Sequence, residues 1–231
     1  MLLSQFRKKF DAVQGSLADN RFACNWEDRW PCFDDATSAT GFDAHYVYHT
    51  AWAARVLEQS RPERHVDVGS CLRFTTLVSA FISIEFYDYR PVKVSLTGLT
   101  SGHADATALP FADASVSSLS CMHVVEHIGL ERYGDPFDPQ GDLKAMQELM
   151  RVLSPGGQLL FVVPIGNEAR IQYNAHRIYT YAQVLDCFAA LSLDSFAFIT
   201  DSGEFIPNAE EADTLTQKYG CGCFRFIRRV N

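Results

Sequence analysis

Long hydrophobic runs are absent from the sequence. No window approaches the roughly 20 apolar residues that a membrane-spanning helix needs, and the apolar start at Met1–Phe6 is too short for a secretory signal peptide. We therefore expect a cytoplasmic protein with no membrane partner. The chain has 231 residues, of which 47% are apolar, and this is enough for one ample core.

Positive charge is also scarce. The chain carries 20 Lys and Arg against 28 Asp and Glu, a formal net charge of −8. A broad nucleic-acid interface needs clustered basic side chains, whereas tight basic clusters occur only at Arg7–Lys9 and Arg225–Arg229. We expect no nucleic-acid partner.

The cysteines lack the spacing of a disulfide framework. There are 7 of them, an odd number, and only Cys221 and Cys223 are closely spaced. This usage is typical of reduced intracellular thiols. On a strand these two side chains share one face, and we interpret the pair as core packing in preference to metal binding.

The dinucleotide-binding fingerprint G-x-G-x-x-G is missing as well, which disfavours a nicotinamide oxidoreductase. What is present is the segment Arg64–Ser70, an apolar strand that breaks at an acid-x-Gly-Ser turn, followed by a second apolar strand that ends at Asp88. A glycine turn lets the backbone approach a ligand, and a carboxylate at the next strand end can bind a ribose diol. The pattern predicts a nucleotide-like cofactor.

Strands alternate with helices along the chain. We predict strands near residues 65–68, 83–88, 101–104, 116–122 and 158–163, then an antiparallel pair at 195–199 and 223–227. Helices are expected from Asp43 to about Gln59, over Gly141–Leu153 and near Tyr179–Ala190. The alternation predicts an α/β fold with a mainly parallel sheet covered on both faces. Residues 90–102 are too short for a full crossover helix.

We divide the chain into an N-terminal helical cap with an aromatic loop at 1–60 and one compact α/β domain at 61–231. The loop, residues 20–42, contains Trp26 and Trp30 without any periodicity. Two interpretations remain open for it: a loop that closes over a site, or a surface loop anchored by its tryptophans.

Several segments in order resemble the class I S-adenosylmethionine (SAM)-dependent methyltransferases. They are Arg64–Ser70, His103–Phe111, Ser118–His123, Val125–Ile128 and Arg151–Gly157. The resemblance implies a Rossmann-like, seven-stranded, mostly parallel sheet with a C-terminal antiparallel strand pair. More narrowly, Glu126–Lys144, Asn174–Arg177 and Lys218–Cys221 are similar to an uncharacterised bacterial methyltransferase-like family, domain of unknown function 268, which has no established substrate.

The resemblance also implies residue roles at the carboxyl ends of the strands. Asp67 and Gly69 shape the loop beside the methionine part of SAM, Asp88 binds the ribose, and Asp105 with Ala106 faces the adenine. The implied cofactor set is Asp67, Gly69, Ser70, Asp88, Asp105, Ala106 and His123. Cys71 and Arg73 stand where many methyltransferases have further glycines.

Methyl transfer to an oxygen needs the acceptor proton to be removed, and the candidate catalytic residues are His127, His176 and His123. Asn174 and Arg177 flank His176, and Tyr133, Asp135 and Asp138 follow Glu126; both groups are candidates to bind the acceptor. Structural roles, such as helix capping by the residues near His176, remain open.

His123, Glu126 and His127 have the i, i+3, i+4 spacing that can hold a divalent metal on one helical turn. Because the set lacks an evident fourth ligand, we expect no required metal. A histidine that lines the acceptor pocket, or one that is buried and hydrogen-bonded to backbone, explains the same pattern.

These features predict a SAM-dependent methyltransferase that acts on an oxygen of a small or sugar-like acceptor. The sugar assignment depends only on the association of similar bacterial proteins with surface-polysaccharide genes. The alternative is a catalytically silent, methyltransferase-like module that binds a ligand or partner, which the missing glycines and the shortened crossover favour. SAM binding separates the two.

Overall fold

A computed structural model of the chain describes residues 3–17 and 21–230. Residue contacts divide the chain into two compact units, Met1–Phe42 and Asp43–Asn231. The division falls after Phe42, and not at residue 60, because the helix that follows Asp43 buries its apolar face in the second unit.

The first unit contains helix α1 (Leu3–Ser16) and a short 3-10 helix at Trp26–Asp28. Aromatic rings hold it together: the ring centroids of Phe6 and Phe10 lie 6.0 and 5.0 Å from that of Trp26. The guanidinium of Arg7 lies 4.2 Å from the Trp26 ring centroid, in cation–π contact. The N-terminal cap with its aromatic loop, and closure of the loop over a site, stay predictions.

The second unit is built on one large sheet and one small hairpin. The strands of the sheet are β1 (Arg64–Val68), β2 (Ser83–Asp88), β3 (Leu99–His103), β4 (Val116–Met122), β5 (Leu153–Ile165), β8 (Leu191–Ile199), β9 (Phe205–Ile206) and β10 (Gly220–Arg228), and the hairpin is β6 (Arg170–Gln172) with β7 (His176–Ile178). The order across the sheet is β3-β2-β1-β4-β5-β10-β8-β9.

The five neighbouring strands β3, β2, β1, β4 and β5 pair in parallel, and β10 is antiparallel to both β5 and β8. The predicted α/β sheet with its C-terminal antiparallel pair is therefore confirmed, but the predicted number of seven strands is wrong. The eighth strand, β9, adds two residues beside β8 after a turn at Gly203, whose φ is +82°. A two-residue strand is too short to show an alternating pattern in the sequence.

Helices cover both faces of the sheet. Helix α2 (Ala44–Ser60) and the short α3 (Leu72–Val78) pack on one face, and α4 (Gly141–Val152) and α5 (Tyr181–Cys187) pack on the other. The Asp43 side chain accepts a hydrogen bond from the Tyr46 N–H and so caps α2, as predicted. Residues 89–98, between β2 and β3, contain no helix, which confirms the reduced crossover. Among the described helices, none is both long enough and apolar enough to cross a membrane.

A chain of buried polar groups runs through the sheet beneath the turn after β1. Gln158 donates to the Ser118 hydroxyl at 3.0 Å, and the His65 ring bridges the hydroxyls of Ser118 and Ser120 at 2.8 and 2.9 Å. The Ser120 hydroxyl in turn donates to the Asp67 carboxylate. Because a carboxylate only accepts, Ser120 accepts from His65 Nε2–H, and His65 Nδ1 accepts from Ser118. Every donor in this chain has an acceptor.

Complete burial decides the charge states in this chain. It lowers the pKa of His65 to about 3, so the ring is neutral at pH 7. It raises the pKa of Asp67 from 3.8 to about 6, although hydrogen bonds from Ser120 and Ser70 oppose the rise. Asp67 is therefore ionised at pH 7 at a cost in stability.

We predict that Asp67→Asn stabilises the fold at pH 7. A shift from 3.8 to about 6 corresponds to about 3 kcal/mol at roughly 1.4 kcal/mol per pKa unit. The amide oxygen can still accept from Ser70, but the amide NH2 cannot accept from Ser120, and this lost hydrogen bond offsets part of the gain. The free energy of unfolding should therefore rise by about 1 to 2 kcal/mol.

The raised pKa means that the wild type loses this stability as pH rises from about 4 through 6, while the variant does not. Denaturant unfolding at a series of pH values should show a difference that is largest at pH 7 and vanishes near pH 4. A difference that does not change with pH would contradict the buried-carboxylate account.

Candidate cofactor and acceptor cleft

One cleft opens where β1, β2, β3 and β4 end, at the carboxyl edge of the parallel strands. It encloses about 1100 Å³, including space open to solvent. The turn after β1, the ends of β2 and β3 and the loop after β4 all contribute to its walls. This edge is where open α/β sheets bind ligands.

Hydrogen bonds to β1, β2 and β4 hold the turn after β1 in place. The Asp67 carboxylate accepts a hydrogen bond from the Ser70 N–H at 3.1 Å, and the Gly69 N–H donates to the Tyr87 carbonyl at 2.7 Å. The Ser70 hydroxyl accepts from the Met122 N–H at 3.0 Å, which ties the turn to the end of β4. Gly69 and Ser70 line the cleft, whereas Asp67 is buried beneath them and shapes the turn.

The two larger residues that follow the turn have different surroundings. Cys71 is partly buried and lines the cleft. Arg73 is exposed on α3 and is not among the lining residues. Of the two positions where a glycine is expected, only Cys71 therefore narrows the cleft.

Asp88 and Asp105 bring two carboxylates to the same cleft. Asp88 ends β2, and its Oδ1 accepts from the Arg90 N–H at 2.7 Å. Asp105 Oδ1 accepts from the backbone N–H and the hydroxyl of Thr107 at 2.8 and 2.7 Å. Ala106 and Thr107 line the cleft beside it. Both acids line the cleft, and their roles in ribose and adenine binding stay predictions.

His123 stands at the end of β4 and also lines the cleft. Its φ of +57° is in the left-handed region, which is uncommon for a residue other than glycine. Nδ1 of its ring lies 2.8 Å from Glu126 Oε1, and Nε2 lies 3.4 Å from Cys221 Sγ. The rings of His45, Tyr46 and His49 surround it at centroid distances of 5.7, 5.4 and 5.0 Å.

Burial keeps this group of histidines neutral. It lowers the pKa values of His123 and His45 to about 4 and that of His49 to about 3. It raises the pKa of Glu126 to about 7, although the neighbouring His127 opposes the rise. A carboxyl group that titrates near neutral pH therefore lies among uncharged imidazoles.

His127 lies between Glu126 and the cleft. The Ala175 carbonyl accepts from the His127 Nδ1–H at 2.7 Å and from Arg132 at 2.8 Å, and the Arg132 guanidinium lies 3.1 Å from Nδ1. Nε2 of His127 is 3.7 Å from Glu126 Oε1. Burial lowers its pKa, and Glu126 partly offsets the effect. The side chain lines the cleft, so a neutral imidazole is available there to accept a proton.

The loop after β4 is held by its own side chains and by Arg177. Asp135 accepts from the backbone N–H groups of Gly129 and Tyr133 at 2.6 and 3.2 Å. Arg177 is buried, donates to the Ile128 carbonyl at 2.6 Å and lies 3.5 Å from an Asp142 carboxylate oxygen. Arg177, a predicted acceptor ligand, is therefore committed to holding this loop. Tyr133, Asp135 and Asp138 do line the cleft.

His176 does not line the cleft, in contrast to the expectation from the sequence. The β6–β7 hairpin pairs it with Gln172, and its Nε2 lies 2.7 Å from Gln172 Oε1. Its ring stacks on Tyr219 at a centroid distance of 5.0 Å and lies 6.1 Å from the ring of His127. It thus supports the residues that reach the cleft.

Comparison with solved structures shows which fold this is. The N-methyltransferase NodS of Bradyrhizobium japonicum, in complex with S-adenosyl-L-homocysteine, matches with a TM-score of 0.56 and 13% identity over 95% of this chain and 97% of that one. The 1,6-didemethyltoxoflavin-N1-methyltransferase of Burkholderia thailandensis matches with a TM-score of 0.57 and 11% identity over 98% and 88%. The chain has the class I methyltransferase fold.

Other comparisons limit what this fold implies. The [4+2]-cyclase SpnF shares the class I methyltransferase fold, with a TM-score of 0.52 and 17% identity over 78% of this chain and 82% of that one. Residues 108–214 match the model of a family described as Caenorhabditis protein of unknown function, DUF268. The chain therefore matches the family that the sequence motifs indicate, but the predicted bacterial origin of that family is not supported. No curated protein matches the chain.

His123 is surrounded by three residues of α2 that the sequence does not single out, His45, Tyr46 and His49, and by Cys221 of β10, for which the sequence favours core packing. The i, i+4 spacing of His45 and His49 places both on one face of a helix, and this signal was available. Their approach to Cys221 depends on how α2 packs on the sheet, which the spacing does not reveal.

We predict that Gly69→Ala destabilises the protein more than Gly134→Ala. Both glycines have positive φ, +69° and +84°, so each alanine pays a left-handed backbone cost of about 1 to 2 kcal/mol. A Cβ at Gly69 would also lie 3.1 Å from a Val124 methyl carbon, whereas one at Gly134 would meet nothing within 4 Å.

Denaturant unfolding of both variants measures the difference. Gly69→Ala should lower the free energy of unfolding less in a Val124→Ala background than in the wild type, because the smaller side chain relieves the contact. Equal losses at Gly69 and Gly134 would show that Val124 yields without cost and that the turn is not tightly packed.

Proposed function

We propose that the cleft binds S-adenosylmethionine and that the protein transfers its methyl group to an oxygen of a small or sugar-like acceptor. The observation that carries the proposal is the meeting of Gly69, Asp88 and Asp105 at one cleft in a class I methyltransferase fold. Gly69 lets the backbone approach the methionine part of the cofactor. The carboxylates of Asp88 and Asp105 can accept hydrogen bonds from its ribose diol and its adenine amine.

The residues at the cleft suit this cofactor. Asp88 would accept hydrogen bonds from the ribose hydroxyls, and Asp105 with the Ala106 backbone would bind the adenine edge. The turn at Gly69 and Ser70 would bind the methionine part, because Gly69 has no side chain to block its approach. When bound, the cofactor supplies an electrophilic methyl group on a sulfonium. His123 borders this end of the cleft.

The loop after β4 would bind the acceptor. Tyr133, with the Arg90 guanidinium 4.4 Å from its ring centroid, and His127 line this side of the cleft. Nδ1 of His127 is fixed on the Ala175 carbonyl, so Nε2 is the ring nitrogen that would take the acceptor proton. The Glu126 carboxylate at 3.7 Å would stabilise the resulting imidazolium.

A catalytically silent binding module is the second candidate function. Cys71 narrows the cleft where a glycine is expected, which favours this candidate. SpnF, which shares the fold, is described as a [4+2]-cyclase and not as a methyltransferase. A fold of this kind does not fix the reaction, so the cofactor test decides between the two.

We predict that the purified protein binds SAM and its demethylated product, and that Asp88→Ala weakens both at least about tenfold. Loss of the carboxylate leaves ribose hydroxyls without acceptors, which costs about 2 to 4 kcal/mol. Isothermal titration calorimetry measures the affinities. Asp194→Ala is the matched control, because Asp194 is an exposed acid on β8 that does not line the cleft.

No heat of binding at millimolar SAM in the wild type would reject the methyltransferase proposal in favour of the silent module. Binding that Asp88→Ala and Asp194→Ala weaken equally would show that the cofactor lies elsewhere.

We predict that His127→Ala keeps its SAM affinity but lowers methyl transfer, since a general base contributes a factor of about 10² to 10⁴. Transfer of labelled methyl from SAM to a panel of hydroxylated small molecules measures the effect. His176→Ala should lose much less, because His176 lies outside the cleft. Equal losses in both variants would indicate a shared structural role.

A further inference from the structure

Three side chains from distant parts of the chain meet beside the cleft. His45 comes from α2, His123 follows β4, and Cys221 lies near the start of β10. Their ligand atoms all lie within 4.8 Å of one another. The elements that supply them belong to one compact unit, Asp43–Asn231.

The distances are close to those of a tetrahedral metal site. With zinc–nitrogen and zinc–sulfur bonds of about 2.0 and 2.3 Å, a nitrogen and a sulfur ligand lie about 3.5 Å apart. The observed separation of His123 Nε2 and Cys221 Sγ is 3.4 Å. The ligand atom of His45 lies no more than 4.8 Å from each of these two atoms, so His45 would complete a set of three ligands.

The hydrogen bond that His123 makes through Nδ1 is typical of a histidine that binds a metal. A histidine that binds a metal through one ring nitrogen usually donates its other N–H to a carboxylate or carbonyl. His123 Nδ1 lies 2.8 Å from Glu126 Oε1, so its Nε2 is left with a free electron pair that faces Cys221. Glu126 therefore supports a ligand and does not act as one.

Two buried polar atoms next to His123 have no hydrogen-bond partner among the described residues. They are Glu126 Oε2, on a side chain that is 1% exposed, and His49 Nε2, on one that is 0% exposed. A buried carboxylate needs a compensating positive charge. A divalent cation bound to one thiolate carries a net charge of +1, which the Glu126 carboxylate would neutralise.

We propose that His45, His123 and Cys221 bind one zinc ion at the border of the cleft. Two imidazoles and a thiolate select zinc over magnesium or calcium, which prefer oxygen ligands. Three protein ligands leave a fourth position for water or an acceptor oxygen, as in catalytic zinc sites. The sequence predicts no required metal at His123, Glu126 and His127 and favours core packing for Cys221 and Cys223; the approach of His45 and Cys221 to His123 is the observation that leads to a different proposal.

The site would also fasten α2 to the ends of β4 and β10, because each element supplies one ligand. It is independent of the cofactor contacts proposed for Asp88 and Asp105, which lie on other strand ends. Zinc binding and SAM binding can therefore succeed or fail separately.

The test uses the full chain, reduced and stripped of metal with a chelator. Titration with zinc against a chromogenic chelator should give one equivalent of tight binding, and zinc should raise the thermal midpoint of unfolding. Cobalt in place of zinc should give the tetrahedral colour of cobalt and a sulfur-to-metal charge-transfer band, which reports on the thiolate.

Variants separate the ligands from their neighbours. Cys221→Ser should abolish the charge-transfer band, and His45→Ala should weaken zinc binding at least about a hundredfold. Glu126→Gln should weaken it by about 10 to 100-fold through His123. Cys223→Ser is the matched control, because Cys223 is equally buried on the same strand but lies outside the ligand group, and it should keep both signals.

The proposal is overturned if the stripped wild type binds no stoichiometric zinc, if its cobalt form shows no sulfur band, or if Cys221→Ser binds zinc as the wild type does. Should Cys221→Ser fail to fold, the wild-type cobalt spectrum and His45→Ala still decide. Calorimetry with S-adenosylhomocysteine on the same stripped protein distinguishes the two proposals, because we expect the same affinity with and without zinc.

Discussion

The cleft depends on a buried carboxylate, Asp67, beneath the turn after β1. Its oxygens accept from the Ser70 backbone and the Ser120 hydroxyl, so one side chain joins β1, β4 and the turn. Burying this charge destabilises the fold. The hydrogen bonds through Ser120 and His65 nevertheless give every donor in this buried network an acceptor. The turn that carries Gly69 is held in place by this network.

Strand order explains why chemistry gathers at one edge. The order reverses between β1 and β4, with β2 and β3 on one side and β5 on the other. At such a point the loops after neighbouring strands diverge and leave a crevice. Asp88 and Asp105 therefore lie on the side of the crevice proposed for the cofactor, and His123 and His127 lie on the side proposed for the acceptor. The proposed zinc ligands extend the acceptor side toward α2 and β10.

Local patterns predicted much of the fold. The bounds of β2 and β4 agree with the sequence prediction, and α4 begins at the predicted residue, because alternating or helical periodicity is a property of neighbouring residues. The sequence could place Asp88 and Asp105 at the edge of the sheet that forms the cleft because strand ends are also local features. In contrast, β9 is too short to leave a pattern.

Long-range packing accounts for what the sequence did not reveal. His176 and Arg177 belong to a polar segment of the sequence. Arg177, however, donates to the Ile128 carbonyl and lies beside Asp142, and His176 pairs with Gln172 across a hairpin. His45 and Cys221 meet His123 only because α2 packs on the face of the sheet to which the Cys221 side chain of β10 points. No spacing within one segment encodes these contacts.

A crystal structure of the protein grown with S-adenosylhomocysteine tests the central claim most directly. The account predicts the ligand in the cleft, with its ribose hydroxyls within hydrogen-bond distance of the Asp88 carboxylate and its adenine beside Asp105 and Ala106. Its sulfur should lie on the side of the cleft that His123 and His127 border. Ligand bound outside this cleft, or a ribose turned away from Asp88, would contradict the account.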